Sequence, residues 1–358
     1  KRIDMPLVGN PKTLAKGQFN TLVQSGTDSN NYNPKPPLIL QGEGAVKGDS
    51  ISLKNRAKKK VITQSIILAL VDIARRRKEV KREKAYWNTY HCQNRIIEVE
   101  NRLYGDYCKN RFCTICAGIR KADIINRYYP VISKWSDPYF VTLTAKSVPA
   151  KTLNNRIDRM FLSLKKILTR NKKRHSRGKG IHLEGIRSLE SNFNPIKRTY
   201  NPHFHLIVSS KEAAELIISE WLEQCTPAFA VSSAQNMRKV IDMNHDLVEI
   251  IKYGSKIFTD PTMKKKAQSK ISPYIYVAAF HNILGAMSGH RIFERFGFQL
   301  PIRTKETKIS LITDYNQLVF DPEQFDWVST ETAELLTGYQ PSDELITILA
   351  ENINLDLE

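Results

Sequence analysis

The segment His203-Phe204-His205, which opens the apolar run Leu206–Val208, is the feature that most constrains how this chain can fold. Its β-branched and aromatic residues predict a β-strand. Side chains alternate between the two faces of a strand, so both imidazoles lie on one face and Phe204 lies on the opposite, apolar face. Two imidazoles held side by side on a strand supply half of a metal site.

A third ligand is expected from the preceding strand, which we predict over residues 181–190. This strand offers Glu190 and Glu184, which lie on the same face of it. Pairing of the two strands in a hairpin would bring one of these carboxylates across from the imidazoles. Such a ligand set suits Mn²⁺, Co²⁺ or Zn²⁺, and Mg²⁺ with lower affinity, and it leaves coordination positions open for phosphate oxygens.

The pattern around the His strand predicts an α+β fold. From residue 139 to residue 258 the predicted order is strand, helix, strand, strand, helix, strand and helix. A βαββαβ series forms a small antiparallel sheet with helices on one face. Before this region, an apolar and then basic pattern predicts one long helix over residues 57–87. The predicted regions are a disordered arm at 1–50, a basic helical and zinc-knuckle region at 51–135, a catalytic domain at 136–305 and an acidic tail at 306–358.

The charge distribution indicates a polyanionic partner. The chain of 358 residues has 55 basic and 36 acidic residues and a net charge of +19. All 55 basic residues precede residue 309, whereas 11 of the acidic residues follow Lys308. This surplus favours nucleic acid first and an anionic membrane surface second. No apolar run approaches the ~20 residues of a membrane span, and no signal peptide is visible.

A second motif, Glu249-x3-Tyr253-x2-Lys256, lies about fifty residues after the His pair. Glu249 and Tyr253 share a face of a predicted helix. A phenol with a pKa of about 10 is a poor nucleophile, but a metal-bound phosphate or the ammonium of Lys256 would favour its phenolate. Tyr253 would then attack phosphorus, and Glu249 would activate water or a second strand's hydroxyl in a later step. Lys252, beside the tyrosine, is an expected DNA contact. Taken without the His pair, the motif would indicate a core tyrosine on an ordinary helix.

Four of the five cysteines lie close together and have the spacing of a zinc site. Four ligands would close the coordination sphere, so this zinc would be structural. Neighbouring His91 is a substitute ligand, and reduced thiols without metal are the alternative. Basic residues beside the cysteines, Lys109 and Arg111 among them, suit docking on DNA phosphates. The predicted zinc ligands are Cys92, Cys108, Cys113 and Cys116.

These motifs together resemble the rolling-circle plasmid replication initiators, or Rep proteins, of the HUH endonuclease superfamily. The likeness is to the class that pairs a single tyrosine with a glutamate, and it spans roughly residues 88–300. Four segments carry it, and a fifth looks like the family's closing segment. They are the strand Phe140–Thr144, the His-hydrophobic-His motif in Tyr200–Val208, the tyrosine motif Glu249–Lys256, the cysteine-rich segment Cys108–Cys116 and the closing segment Arg291–Gly297.

The resemblance implies a role for each residue of the catalytic site. His203 and His205 would hold a divalent metal, Mn²⁺ or Mg²⁺, with Glu190 as the third ligand because of its place in the strand before the His motif. Tyr253 would be the nicking nucleophile and would stay attached to a 5′-phosphate. Glu249 would promote the terminating cleavage by water.

The expected partner is single-stranded or hairpin origin DNA in a prokaryotic cytoplasm. The sequence has no Gly-x4-Gly-Lys-Ser/Thr motif, so unwinding would need a host helicase. The oligomeric state stays open, with a homodimer as one option. One competing interpretation is a single-strand transposase with the same chemistry, and another is a non-catalytic, zinc-containing DNA-binding repressor. Relaxases usually place the tyrosine before the His motif, whereas here it follows.

Overall fold

The computed structural model describes residues 38–41, 44–251, 273–302 and 309–347, and this part of the chain forms two compact units. The first contains a two-stranded and a five-stranded sheet. The second contains another five-stranded sheet and the helices that pack on it. Among the described helices, none has both the length and the apolar character needed to cross a bilayer.

The first unit combines strands from distant parts of the sequence. Strand β11 pairs with both β12 and β3, and β10 pairs with β1, all antiparallel. Segments of the predicted arm and of the predicted acidic tail therefore form strands here, while residues 1–37 lie outside the described part. The four regions proposed from the sequence stay a prediction. The strands are β1 Leu38–Gln41, β2 Ala45–Val46, β3 Arg95–Val99, β4 Arg102–Gly105, β10 Ile309–Ile312, β11 Asn316–Asp321 and β12 Asp326–Ser329.

The helix expected over residues 57–87 is two helices, α1 (Ser50–Arg76) and α2 (Val80–Tyr90). Lys78 breaks the predicted helix because it has a left-handed backbone, with φ of 58°. The Lys78 N–H donates to the carbonyl of Arg75 and the Glu79 N–H to that of Ala74. This pair of bonds is the Schellman arrangement that ends a helix, here without the usual glycine.

The second unit confirms the predicted α+β fold class. Its sheet has the order β8-β5-β7-β6-β9, all neighbours are antiparallel, and the His strand β7 lies at the centre. The elements are α3 Thr114–Ile132, β5 Tyr139–Thr144, α4 Ala150–His175, β6 Gly185–Asn194, β7 Thr199–Val208, α5 Lys211–Gln224, β8 Asn236–Lys239, α6 Met243–Ile251, α7 Pro273–Ala286 and β9 Phe293–Phe296.

Helices cover both faces of this sheet, so the expectation of helices on one face was wrong. Helices α4, α5 and α7 share a core with Phe204 and Leu206, and we call this side the α4 face. Helices α3 and α6 share a second core with Phe140 and Ile207, which we call the α6 face. The reason lies in β7, where the adjacent residues Leu206 and Ile207 are both fully buried, as in strands that are covered on both sides.

The hairpin between β6 and β7 is longer than the sequence pattern predicts. Its ladder runs from Gly185 opposite Val208 to Asn194 opposite Thr199. The Asn194 side chain closes the turn by accepting from the N–H groups of residues 196 and 197 at 3.1 and 3.0 Å. Pro202 is tolerated within β7 because it lies beyond the last residue pair that joins β7 to β5.

Candidate metal centre and active site

The register of three strands places a set of polar side chains on the α6 face. In the β6–β7 ladder, Glu190 lies directly opposite His203. In the β5–β7 ladder, Thr142 lies opposite His205. Because side chains alternate along a strand, these residues share their face of the sheet with the apolar residue Ile207. One sheet face therefore changes from apolar to polar along β7.

Glu190, His203 and His205, which we call the His–Glu triad, present their donor atoms to one another. Oε2 of Glu190 lies 3.4 Å from Nε2 of His205 and 4.0 Å from Nε2 of His203. Two atoms bonded at about 2.1 Å to one ion are separated by at most about 4.2 Å, so both distances fit a shared ligand sphere. All three donors lie within 4.8 Å of one another. The side chains are only 8–16% exposed.

The second nitrogen of each imidazole is held by the surrounding backbone and side chains. Nδ1 of His203 lies 3.1 Å from the carbonyl oxygen of Asn201, so it donates to that oxygen and leaves Nε2 with its lone pair. Nδ1 of His205 lies 3.2 Å from Oγ1 of Thr142. Such outer contacts fix the ring orientation in metal sites. The donor set and its supports therefore fit a divalent cation such as Mn²⁺.

Glu184, the alternative third ligand, lies elsewhere. It precedes the first residue of β6, and its Oε1 lies 3.3 Å from Nε2 of His182. Six residues of extended strand separate it from Glu190, a span of about 20 Å. Between the two candidates, the described structure groups only Glu190 with the His pair.

Helix α6, which contains Glu249, packs on the same face of the sheet as the triad. Its residues Leu247 and Ile250 pack in one core with Ile207 of β7. Glu249 lies in this helix and is half-buried. Tyr253, Lys252 and Lys256 lie outside the described residues, so their roles stay predictions.

A half-buried ion pair joins α6 to the edge strand β8, and the sequence analysis missed it. Asp246 is 2% exposed and accepts two hydrogen bonds from Arg238, at 2.8 and 2.5 Å. Burial opposes ionisation of Asp246, but the hydrogen bonds from Arg238 and His245 outweigh it and hold the pKa of this carboxyl below its usual range. Two residues eight positions apart carry no local sequence signal of such a contact.

Three of the four predicted zinc ligands, Cys108, Cys113 and Cys116, form a second cluster within one unit. Their sulfur atoms lie within 4.8 Å of one another, and the role of Cys92, which belongs to the other unit, stays a prediction. Cys108 and Cys116 are separated by 3.7 Å between their sulfurs, close to the ~3.8 Å expected for two thiolates on one tetrahedral zinc. Sγ of Cys113, the residue before α3, accepts from the N–H of Cys116 at 3.5 Å. None of the four forms a disulfide, and their donor set fits a structural Zn²⁺.

The two predicted DNA contacts beside the cysteines are solvent-accessible. Lys109 and Arg111 are exposed and lie at the rim of a cavity of about 300 Å³. Phe112 and the α7 residues Phe280 and Ile283 also line this cavity. Their contact with DNA stays a prediction.

Comparison with known proteins identifies the family. The model of a family described as replication protein matches residues 101–215, a segment that contains both β6 and β7 and therefore the His–Glu triad. A Rep protein of Staphylococcus aureus is 30% identical over 180 residues, which are 46% of this chain and 75% of that protein. The chain belongs to the Rep family of replication proteins. The Rep family predicted from the motifs is thereby confirmed, whereas its HUH, single-tyrosine class stays a prediction.

Two further Rep relatives match shorter segments. The Rep protein of Streptococcus pneumoniae serotype 2 is 29% identical over 119 residues, and that of Bacillus amyloliquefaciens is 30% identical over 116 residues. Each match covers 31% of this chain, and 36% and 33% of those proteins. The chain thus spans three quarters of the staphylococcal relative and about one third of these two. No solved structure matches this chain.

Proposed function

We propose that this chain initiates rolling-circle replication of a plasmid by nicking and rejoining single-stranded origin DNA through a 5′-phosphotyrosine link at Tyr253. The observation that carries this proposal is the His–Glu triad on the face of the sheet that α6 covers. Glu249 lies in α6, four residues before the tyrosine. Membership in the Rep family supports the replication role.

In the proposed reaction the triad and the tyrosine motif act on one phosphodiester. A divalent cation such as Mn²⁺ or Mg²⁺, held by Glu190, His203 and His205, would neutralise charge on the scissile phosphate. The Tyr253 oxygen attacks phosphorus and loses its proton to solvent, with Lys256 favouring the phenolate. The bond from phosphorus to the 3′ oxygen breaks, and that oxygen takes a proton to become a free 3′-hydroxyl.

The later steps reverse or terminate the covalent link. A 3′-hydroxyl that attacks the phosphotyrosine rejoins the strand and regenerates the phenol. Glu249 instead takes a proton from water, and the resulting hydroxide attacks phosphorus. The bond from phosphorus to the tyrosine oxygen breaks, the phenolate takes up a proton, and the strand leaves with a 5′-phosphate. Termination by water therefore depends on the carboxylate, whereas nicking depends on the phenol.

The remaining expected partners follow from this role. Lys109, Arg111 and Lys252 would contact DNA phosphates, and a separate helicase would unwind the duplex. The four predicted zinc ligands would hold Zn²⁺ and stabilise the start of α3 rather than take part in the chemistry.

The test is formation of a covalent protein–DNA adduct. Protein with Mn²⁺ is incubated with labelled single-stranded origin DNA, beside Tyr253→Phe, a chelator and the matched tyrosine variant Tyr276→Phe. We expect an adduct on a denaturing gel with the unmodified chain and Tyr276→Phe only. DNA binding without an adduct on any origin tested would favour the repressor. Adducts that form only on the two paired ends of a transposable element, and never on a plasmid origin, would favour the transposase interpretation.

A further inference from the structure

A groove on the α4 face is lined by seven cationic side chains. We call it the basic groove, and it has a volume of about 740 Å³. Leu162, Thr169 and Gln224 complete its lining. The cations come from the second half of α4 and the loop that follows: Lys165, Lys166, Arg170, Lys173, Arg174, Arg177 and Lys179.

The helical repeat of α4 explains how the cations come to lie together. Lys166, Arg170 and Lys173 follow one another at spacings of four and three residues, so they form a stripe on one side of the helix. The opposite side of α4 is apolar and buried, with Leu164 and Ile167 in the core of the α4 face. From Lys166 to the C-terminal end of α4 the stripe is about 14 Å long at 1.5 Å per residue.

Buried Glu220 of α5 holds part of this surface in place. Its side chain is 3% exposed, and its carboxylate accepts from Nε of Arg170 at 3.2 Å and from Nη1 of Arg174 at 3.1 Å. Asn171 donates to the same carboxylate at 2.8 Å. Both guanidiniums nevertheless keep 35% and 53% of their side-chain surface exposed. Glu220 therefore orients both guanidiniums from their buried side, and their exposed side can still contact an anion.

The other five cations of the groove are exposed and have no acidic partner within the described part of the chain. Among the described residues, the carboxylates that pair with cations of the groove are those of Glu220 and Glu223, and both contact Arg170. The groove therefore keeps a large positive excess. A surface of this kind gains affinity for a polyanion when phosphates replace its counterions.

We propose that the basic groove binds the phosphate backbone of double-stranded DNA. None of the described residues that line it is aromatic, whereas surfaces that hold unpaired strands add rings on which the bases stack. It belongs to the α4 face, while the His–Glu triad lies on the α6 face, so a duplex in the groove leaves the triad accessible to an unpaired strand. The proposal does not depend on the nicking chemistry.

The test compares two triple variants of the full chain with the same change of net charge. The groove variant is Lys166→Gln/Lys173→Gln/Arg177→Gln. The control replaces three exposed, scattered lysines, Lys134→Gln/Lys197→Gln/Lys211→Gln. Binding of a labelled 20-base-pair duplex of arbitrary sequence is followed by fluorescence anisotropy between 50 and 300 mM KCl. Circular dichroism checks that both variants are folded.

We expect the groove variant to lower the slope of log affinity against log salt by about 2 to 3, because each lost phosphate contact contributes about 0.9. Its Kd at 150 mM salt should rise about ten-fold or more, and that of the control less than about three-fold. Equal effects of the two variants, or no effect of either, would overturn the proposal. A larger loss for a 20-nucleotide single strand than for the duplex would also overturn it and assign the groove to unpaired DNA.

A separate assay keeps this result apart from the proposed nicking. Adduct formation on a single-stranded oligonucleotide of about eight nucleotides should be unchanged in the groove variant. Loss of that adduct in a folded groove variant would place the groove on the path of the cleaved strand and contradict the assignment to duplex DNA. Absence of the adduct in the unmodified chain would count against nicking alone, since duplex binding is measured independently.

Discussion

The two faces of the central sheet carry different kinds of side chain from the same strand, β7. On the α6 face, β7 presents His203 and His205 beside Glu190, all with part of their surface accessible. On the α4 face, the neighbouring residues Phe204 and Leu206 are fully buried in an apolar core. Because side chains alternate, adjacent residues of one strand lie in the proposed metal centre and in the apolar core. Substitutions one residue apart should therefore have effects of different kinds.

The largest expected effect comes from the triad. Glu190→Gln keeps the shape of the side chain but removes the charge that the two imidazoles face. We expect adduct formation to fall by about 100-fold or more, since metal-assisted charge neutralisation would be lost. The rate of adduct formation at saturating Mn²⁺ measures this.

Glu184→Gln is the matched control for that variant, because it changes the same kind of residue before the same strand. Its adduct rate should stay within about three-fold of the unmodified chain. A similar loss in both variants would contradict the assignment of Glu190 as the ligand. The unfolding curves of Glu190→Gln and Glu184→Gln should differ little from that of the unmodified chain.

Phe204→Ala tests the other face. This ring is fully buried and packs edge-on against Phe161 at 5.1 Å between centroids. We expect the free energy of unfolding to drop by about 3–5 kcal/mol, as for other buried phenylalanines. Urea unfolding followed by circular dichroism gives the value. A drop below about 1 kcal/mol would mean that the apolar face does not stabilise the unit as described.

Lowering the pH should reduce the stability of the two faces in different pH ranges. On the α4 side, burial and the nearby Arg82 guanidinium lower the pKa of His281 to about 4, against the opposing charge of Glu79. This ring is neutral in the fold and titrates near its usual pKa when unfolded, so its contribution is complete above about pH 6.5 and is lost as the pH falls towards 4. Asp246 on the α6 face has a lowered pKa, so its contribution is lost only below the usual carboxylate range.

Urea unfolding between pH 7 and pH 4.5 measures the histidine effect. We expect a loss of a few kcal/mol in the parent and a flatter profile in His281→Gln. His175→Gln, at an exposed histidine at the end of α4, is the control for the loss of a histidine that is not buried. Parallel profiles for the parent and His281→Gln would refute the role given to the buried ring.

The smallest expected effect is on an outer contact of the triad. Thr142→Val removes the hydroxyl that lies 3.2 Å from Nδ1 of His205 and keeps the side-chain volume. Affinity for Mn²⁺, measured by calorimetry, should fall about ten-fold, as for other contacts that orient metal-bound histidines. Thr144→Val, on the same strand face opposite His203, is the control and should change affinity little. An equal loss of Mn²⁺ affinity in both variants would contradict the role given to Thr142 in orienting His205.

The sequence predicts the strand pair and the grouping of Glu190 with the two histidines, because both follow from the two-residue repeat of a hairpin. Glu190 falls opposite His203 for that reason. Long-range contacts do not follow from such a local repeat. The pairing of β11 with β3 and the Arg238–Asp246 ion pair join residues whose proximity depends on packing. The helix break at Lys78 was missed because a lysine in a left-handed conformation has no characteristic sequence signal.

Helix α3 shows a different failure. Its buried residues Ile124, Tyr128 and Ile132 recur every four positions, a helical spacing that the adjoining cysteine motif obscures. Pro130 lies inside the same helix, and a proline within a segment argues against predicting a helix there from the sequence. Burial of that apolar stripe on the α6 face outweighs the cost of the proline.

The most direct test of the central claim is to locate the covalent bond. Protein treated with Mn²⁺ and a short origin strand is digested with protease and nuclease, and the peptides are sequenced by mass spectrometry. The account predicts a nucleotide 5′-phosphate on the peptide that contains Tyr253, present in the parent and absent in Glu190→Gln. A nucleotide attached to any other residue, or attached to Tyr253 equally in Glu190→Gln, would contradict it.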